Sequence, residues 1–273
     1  DVFLHAQATV AAPRAEAASA NVTHLLTVVV GTRGGVGAST VATSLAWQMS
    51  SATKRNSALI DFDVHFGTGA LSLDLEPGRG LIDAIDNPSR IDGLFIERAM
   101  VRANERLAIL SAEAPVNQPL MSDGAALFHL REEIKHAFES TVVDLPRHMM
   151  VNYPHLLSDA NAVVLVTELT LSGARDAIRL LAAFKAGCPA ARVIVVANRV
   201  QPQPGELTRK DFENSIERPI DILIPFEPKL ATKAAKLGKT IVEVSSCNKL
   251  AQPFAGLLQL VLSRPGNAAL GAV

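Results

Sequence analysis

Residues 31–40 read Gly-Thr-Arg-Gly-Gly-Val-Gly-Ala-Ser-Thr and directly follow the apolar run Leu25 to Val30. A glycine-rich turn between a buried strand and a helix can aim main-chain N–H groups, and the positive end of the helix dipole, at phosphate oxygens. At Gly34, Gly35 and Gly37 a side chain would block that approach or forbid the dihedrals. Ser39 stands where such loops place a hydroxyl on Mg2+. The general pattern is Gly-x-x-x-x-Gly-Lys-[Ser/Thr]. Here Thr32 replaces its first glycine, Gly31 falls one place early, and Ala38 holds the lysine position. The loop is built to hold a polyphosphate and lacks the ammonium that usually helps to break one. Three carboxylates, Asp61, Asp63 and Asp144, end other apolar runs. Hard oxygen ligands at strand ends beside a phosphate loop suit Mg2+ and its waters.

The elements that must position these groups show as an alternation. Strands are expected at 25–30, 57–61, 107–111, 141–145, 162–167, 193–197 and 221–224, several of them continuous apolar runs of the kind covered on both faces. Helices are expected at 39–51, 124–139, 172–186, 208–216, 228–238 and 248–263, with Ser172 as a cap and Ala174, Ile178, Leu181 and Phe184 on one buried face. Strand–helix alternation predicts an α/β fold with a mostly parallel central sheet and helices on both faces. Residues 77–80 read as a turn. The stretch 91–103 reads as a helix with Leu94, Phe95, Ala99 and Met100 inward.

With 48% hydrophobic residues and a formal net charge of -1, the chain has ample material for one core and no footprint for strong nucleic-acid binding. Lys229, Lys233, Lys236 and Lys239 largely share one helix face, which reads as solvated. Two distant cysteines, Cys188 and Cys247, exclude a Cys-x-x-Cys site and fit a reducing cytosol. No apolar run is long enough to span a membrane. Residues 1–24 look like a linker from a preceding domain, 25–263 form one nucleotide-binding domain, and 264–273 a flexible tail.

The run Arg33 to Thr40 resembles the deviant phosphate loop, Lys-Gly-Gly-x-Gly-Lys-[Ser/Thr], of the ParA/MinD superfamily of P-loop NTPases. Arg33 falls at its extra lysine and Ala38 at its ordinary one. Leu59–Asp63, Val142–Pro146, Val195–Arg199 and Ile224–Pro228 resemble its further motifs, in order. Within the superfamily the chain is most similar to the CpaE/TadZ branch of tight-adherence (Flp-type) pilus assembly. That likeness rests on 31–40, 63–71, 75–81, 95–100 and 144–148, and spans roughly 25–263.

The resemblance implies a three-layer P-loop NTPase fold, ATP and Mg2+ as ligands, and a nucleotide-dependent homodimer. It implies nucleotide contacts at Arg33, Gly34, Gly35, Val36, Gly37, Ala38, Ser39 and Thr40. Asn198 and Arg199 would lie at the adenine with Pro225 packing near it, Ser39, Asp61, Asp63 and Asp144 around the metal, and Asp63 would orient the attacking water. Arg33 would reach a partner's phosphates, while Arg147 and His148 could restore charge near the loop. The branch implies pilus-secretion partners, a cytoplasmic location at the pole or inner-membrane periphery, and a receiver-like domain upstream. Losing the lysine should weaken binding by about 1.5–3 kcal/mol, roughly 10- to 150-fold. Weak or absent hydrolysis, an active cycling ATPase and a nucleotide-free scaffold all stay open at this point.

Overall fold

Every residue of Leu26 to Val30 is buried, and successive side chains of a strand point to opposite faces. Val28 and Val30 enter one hydrophobic core and Val29 the other, so this run needs a cover of helices on both sides. The structure is a computed structural model describing residues 23–119, 124–201, 207–245 and 249–263. In chain order its elements are β1 (Leu25–Gly31), α1 (Ala38–Ser51), β2 (Ser57–Asp61), α2 (Gly80–Asp86), α3 (Gly93–Ala99), β3 (Val101–Arg102), β4 (Leu107–Leu110), α4 (Ala125–Ala137) and β5 (Ser140–Asp144). They continue with α5 (Arg147–Asn152), β6 (Ala162–Thr167), α6 (Leu171–Gly187), β7 (Arg192–Val200), α7 (Arg209–Ile216), β8 (Ile222–Pro225), α8 (Pro228–Lys236), α9 (Ile241–Val244) and α10 (Ala251–Leu262).

The strands form one sheet in the order β3-β4-β2-β5-β1-β6-β7-β8. Neighbours pair in parallel except β3 and β4, which are antiparallel. One core lies under residues of α2 to α7 and the other under α1, α8 and α10. This is the expected three-layer arrangement. β1 sits between β5 and β6, so the chain turns to opposite sides of it at different stages. Open α/β sheets bind ligands at the carboxyl ends of strands around such a switch point. The ends of β1, β2 and β5 place the phosphate loop, Asp61 and Asp144 there.

Three local expectations change. The helix over 91–103 stops at Ala99, because Met100 turns extended and Val101–Arg102 pair with β4. Phe95, Ala99 and Met100 pack inward as expected and Ile96 joins them fully buried, while Leu94 is 53% exposed. The cap of α6 is Thr170, whose hydroxyl accepts the Gly173 N–H at 3.0 Å, in place of Ser172. Ala174 and Phe184 are buried and Leu181 packs against the core as expected, with Ala177 and Leu180 also buried, while Ile178 is exposed. The 77–80 turn leads straight into α2 at Gly80. Cys188 is buried and its thiol pKa is pushed up by that burial, as suits an inert core thiol. Cys247, most of the expected linker and the whole tail lie outside the described residues.

Gly80 packs against α3 so closely that an added Cβ would collide with the carbonyl and Cβ of Ala99. Gly80→Ala is expected to destabilise the fold by about 1–3 kcal/mol in urea unfolding. Gly93→Ala, whose Cβ would meet nothing, should stay within about 1 kcal/mol of the parent. Equal effects of the two would contradict this packing.

Candidate functional site

β1 ends at Gly31 and α1 starts at Ala38, so the loop between them stands over the middle of the sheet. Gly35 and Gly37 have φ of +83° and +89°, where an L side chain is strained. Gly37 also has no room: an added Cβ would strike the Asn198 amide nitrogen. Gly31 is confined too, with Val36 Cγ2 at 2.9 Å and Ala38 Cβ at 3.2 Å from its would-be Cβ. Gly34 meets neither constraint: its φ is not left-handed and an added Cβ would meet nothing.

Two ties hold the loop. Thr32 is fully buried, its N–H donates to the Val166 carbonyl at 2.8 Å and its hydroxyl to Thr167 Oγ1 at 3.1 Å. Asn198 Nδ2 donates to the Val36 carbonyl at 2.8 Å, and Val36 itself is buried against the α1 side of the sheet. Thr32, one of the two departures from the general loop pattern, therefore anchors the loop to β6. Asn198, expected at the base, spends one amide N–H on the loop.

Beside the loop, a cavity of about 330 Å³ is lined by Gly34, Gly35, Ala38, Ser39, Arg33 and, from the end of β5 onward, Asp144 to His148. Ser39 and Asp144 line this cavity together. Burial raises the Asp144 pKa to about 7, neighbouring Asp61 adds to the rise and the nearby Ser39 hydroxyl offsets part of it. Asp61 is also raised, chiefly by burial and against amide hydrogen bonds from Gly69 and Asp63.

The three aspartates do not form one chelating trio. Asp61 accepts Asp63 N–H at 3.0 Å on one oxygen and Gly69 N–H at 2.9 Å on the other, so it shapes the loop after β2. Asp63 accepts the N–H groups of His65 and Phe66 and does not line the phosphate cavity. Among the described residues no three His, Cys, Asp or Glu side chains converge on one point. A Mg2+ ion still fits the Ser39–Asp144 pair, since it commonly takes one or two protein oxygens and completes its shell with phosphate and water. A cation there would also offset the unfavourable burial of the carboxylate.

Positive charge gathers on the opposite side. Arg33 Nε lies 3.0 Å from Asp176 Oδ2, Arg147 approaches the same oxygen at 3.7 Å, and Arg179 reaches Oδ1 at 4.0 Å. Asp176, on α6, is 13% exposed and belongs to no motif, so its role emerges only from the packing of α6 beside the loop.

Toward β7 and β8, Gly37, Thr40, Asn198, Arg199 and Pro225 do meet, around a cavity of only about 70 Å³. That is about the room of two waters, less than a purine ring needs. Arg199 has φ +55° at the irregularity between Ala197 and Val200, and its guanidinium pairs with Glu168 at 3.3 Å. A cleft of about 530 Å³ adjoins, sharing Thr40, Ala231 and Ile241 and reaching Lys236 and Asp74. A larger cavity, about 730 Å³, is an open groove between α2 and α3, away from the phosphate loop and lined in part by residues of the 75–81 and 95–100 segments.

A glycine loop joining the central strand of a parallel sheet to a helix, with a hydroxyl and a carboxylate beside it, defines a P-loop NTPase fold. The chain belongs to the CobQ/CobB/MinD/ParA nucleotide-binding domain family, whose profile matches residues 27–252. It is 24% identical over 221 residues to the septum site-determining protein MinD of Synechocystis sp., covering 79% of this chain and 81% of that protein. A ParA family ATPase from Chlorobium tepidum superposes with a TM-score of 0.78 at 19% identity, covering 89% of this chain and 99% of that one. MinD from Pyrococcus horikoshii in complex with Mg-ADP gives 0.70 at 19% identity, covering 88% and 96%. The MinC:MinD complex of Aquifex aeolicus gives 0.71 at 21%, covering 88% and 97%. The structural likenesses establish the fold.

An acid whose folded pKa lies above its unfolded value binds protons on folding, so stability falls as pH rises from about 4 to about 7 and then levels. The pKa of Asp144 lies in that direction. In nucleotide-free protein, Asp144→Asn is therefore expected to gain on the parent progressively between about pH 5 and 7.5 in urea midpoint. A difference independent of pH would contradict the burial of an ionisable carboxyl there.

Proposed function

We infer that this chain binds Mg2+-ATP on the 31–40 loop, hydrolyses it weakly or not at all, and forms a nucleotide-dependent homodimer. That dimer acts as a localisation or assembly factor for tight-adherence pilus secretion machinery. The observation that carries the nucleotide reading is the complete loop: left-handed Gly35 and Gly37, two ties to the sheet, and Ser39 beside Asp144. What it lacks is a side chain at Ala38 able to place positive charge on a transferring phosphoryl group. Loss of an arginine finger, the nearest measured analogy, costs about 10³–10⁵ in rate.

The elements that carry the arginines also expose apolar side chains: Val151, one turn after Arg147 on α5, is 73% exposed, and Leu171, at the start of α6, is 74% exposed. The pilus role draws on motif similarity to the CpaE/TadZ branch. No helix of the described residues is long and apolar enough to cross a membrane, so a place at the pole or inner-membrane periphery would be reached through partners. The four lysines 229, 233, 236 and 239 are all exposed, which fits a solvated face. A cycling ATPase is the competing reading, favoured by the two guanidiniums at the phosphate cavity.

Sedimentation with Mg2+-ATP and with a non-hydrolysable analogue, with phosphate assayed in the same samples, separates these readings. The expected result is a dimer with either nucleotide and slow phosphate release. Absence of ATP affinity up to millimolar concentration would overturn the proposal, and rapid turnover abolished by Asp63→Ala would favour the cycling enzyme. Gly37→Arg is expected to lose nucleotide binding and dimerisation together; a dimer that persists would detach assembly from ATP. Ala38→Lys should raise hydrolysis if the remaining machinery is intact.

A further inference from the structure

The geometry points to Arg147 as the cation that replaces, within the same chain, the ammonium missing at Ala38. This rests on the nucleotide reading above and names the residue that completes that site. Pro146 sets the turn out of β5, and Arg147 opens α5 immediately beyond it. Arg147 and Ala38 line the same cavity of about 330 Å³, together with Gly34, Gly35 and Ser39.

Beside that cavity, whose own lining carboxylate is Asp144, Arg33, Arg147 and Arg179 crowd around a single carboxylate, Asp176. Asp176 is already engaged by Arg33 at 3.0 Å through the same oxygen that Arg147 only approaches at 3.7 Å. The Arg147 side chain is 44% exposed. Its guanidinium is thus drawn to the cavity wall without being fixed there. Such a group can turn to an entering polyphosphate without giving up a strong bond. A guanidinium can grip two phosphate oxygens at once, and its longer reach suits approach from across a cavity. Arg179 is the outermost of the three and does not line the cavity.

The test is a double-mutant cycle at positions 38 and 147, read as equilibrium binding of a fluorescent ATP analogue with Mg2+, alongside thermal unfolding without nucleotide. Arg147→Ala is expected to weaken ATP binding about 10- to 100-fold with little change in unfolding temperature, and Arg147→Lys to weaken it less. In the Ala38→Lys background the same Arg147→Ala change should cost less than about 3-fold, because two cations performing one task are not additive. Unchanged affinity in Arg147→Ala, while the parent binds ATP, overturns this assignment and leaves the nucleotide reading standing. So does an equal loss in both backgrounds, which marks Arg147 as structural. A parent protein with no ATP affinity overturns both.

Discussion

A loop that offers its N–H groups to an anion must turn its carbonyls elsewhere and keep them there. At Val36 this is achieved by Asn198, whose amide takes the carbonyl oxygen at 2.8 Å from the end of β7. The bond spans the sheet from one strand end to another and fixes the loop before any ligand arrives. Thr32 does the same on the β6 side through a main-chain and a hydroxyl bond. With both ends pinned, the left-handed glycines between them are held in a shape that other residues could not adopt cheaply. Preorganisation of this kind lowers the ordering cost of binding, which matters more in a loop without a lysine.

The charges of the site are separated by side. Buried Asp61 and Asp144 end β2 and β5, with pKa values raised chiefly by desolvation, that of Asp144 also by the charge of Asp61. The arginines lie along the loop, α5 and α6, partly neutralised by Asp176. Neither half is balanced alone. A magnesium polyphosphate would carry the complementary pattern, metal toward Asp144 and phosphate toward the guanidiniums.

Much of this was legible in the sequence. Fully buried strands appear as unbroken apolar runs, and β1, β2, β4, β5, β6, β7 and β8 were all placed within a few residues of their observed ends. The long helices α1, α4, α6 and α10 carried enough periodicity to find. What escaped is what tertiary contacts decide. β3 is two residues pairing with β4, and α2, α5 and α9 are too short to show a period. The inward faces of α3 and α6 were each found but for one residue, Leu94 and Ile178, because a helix face defined by a few apolar residues is ambiguous at its edge until its neighbour is known. In the site, the loop and the order of the motifs were visible. The engagement of Asp61 and Asp63 by main-chain amides, the tie from Asn198 and the counter-ion Asp176 were not, since each depends on which way a side chain turns.

The alternation along β1 sets a limit on how this chain can vary. Val29 faces one core while Val28 and Val30 face the other. A single residue inserted or deleted within 25–30 would exchange those two sets and rotate everything beyond by half a turn. The span from β1 through the loop into α1 is thus locked in length by parity.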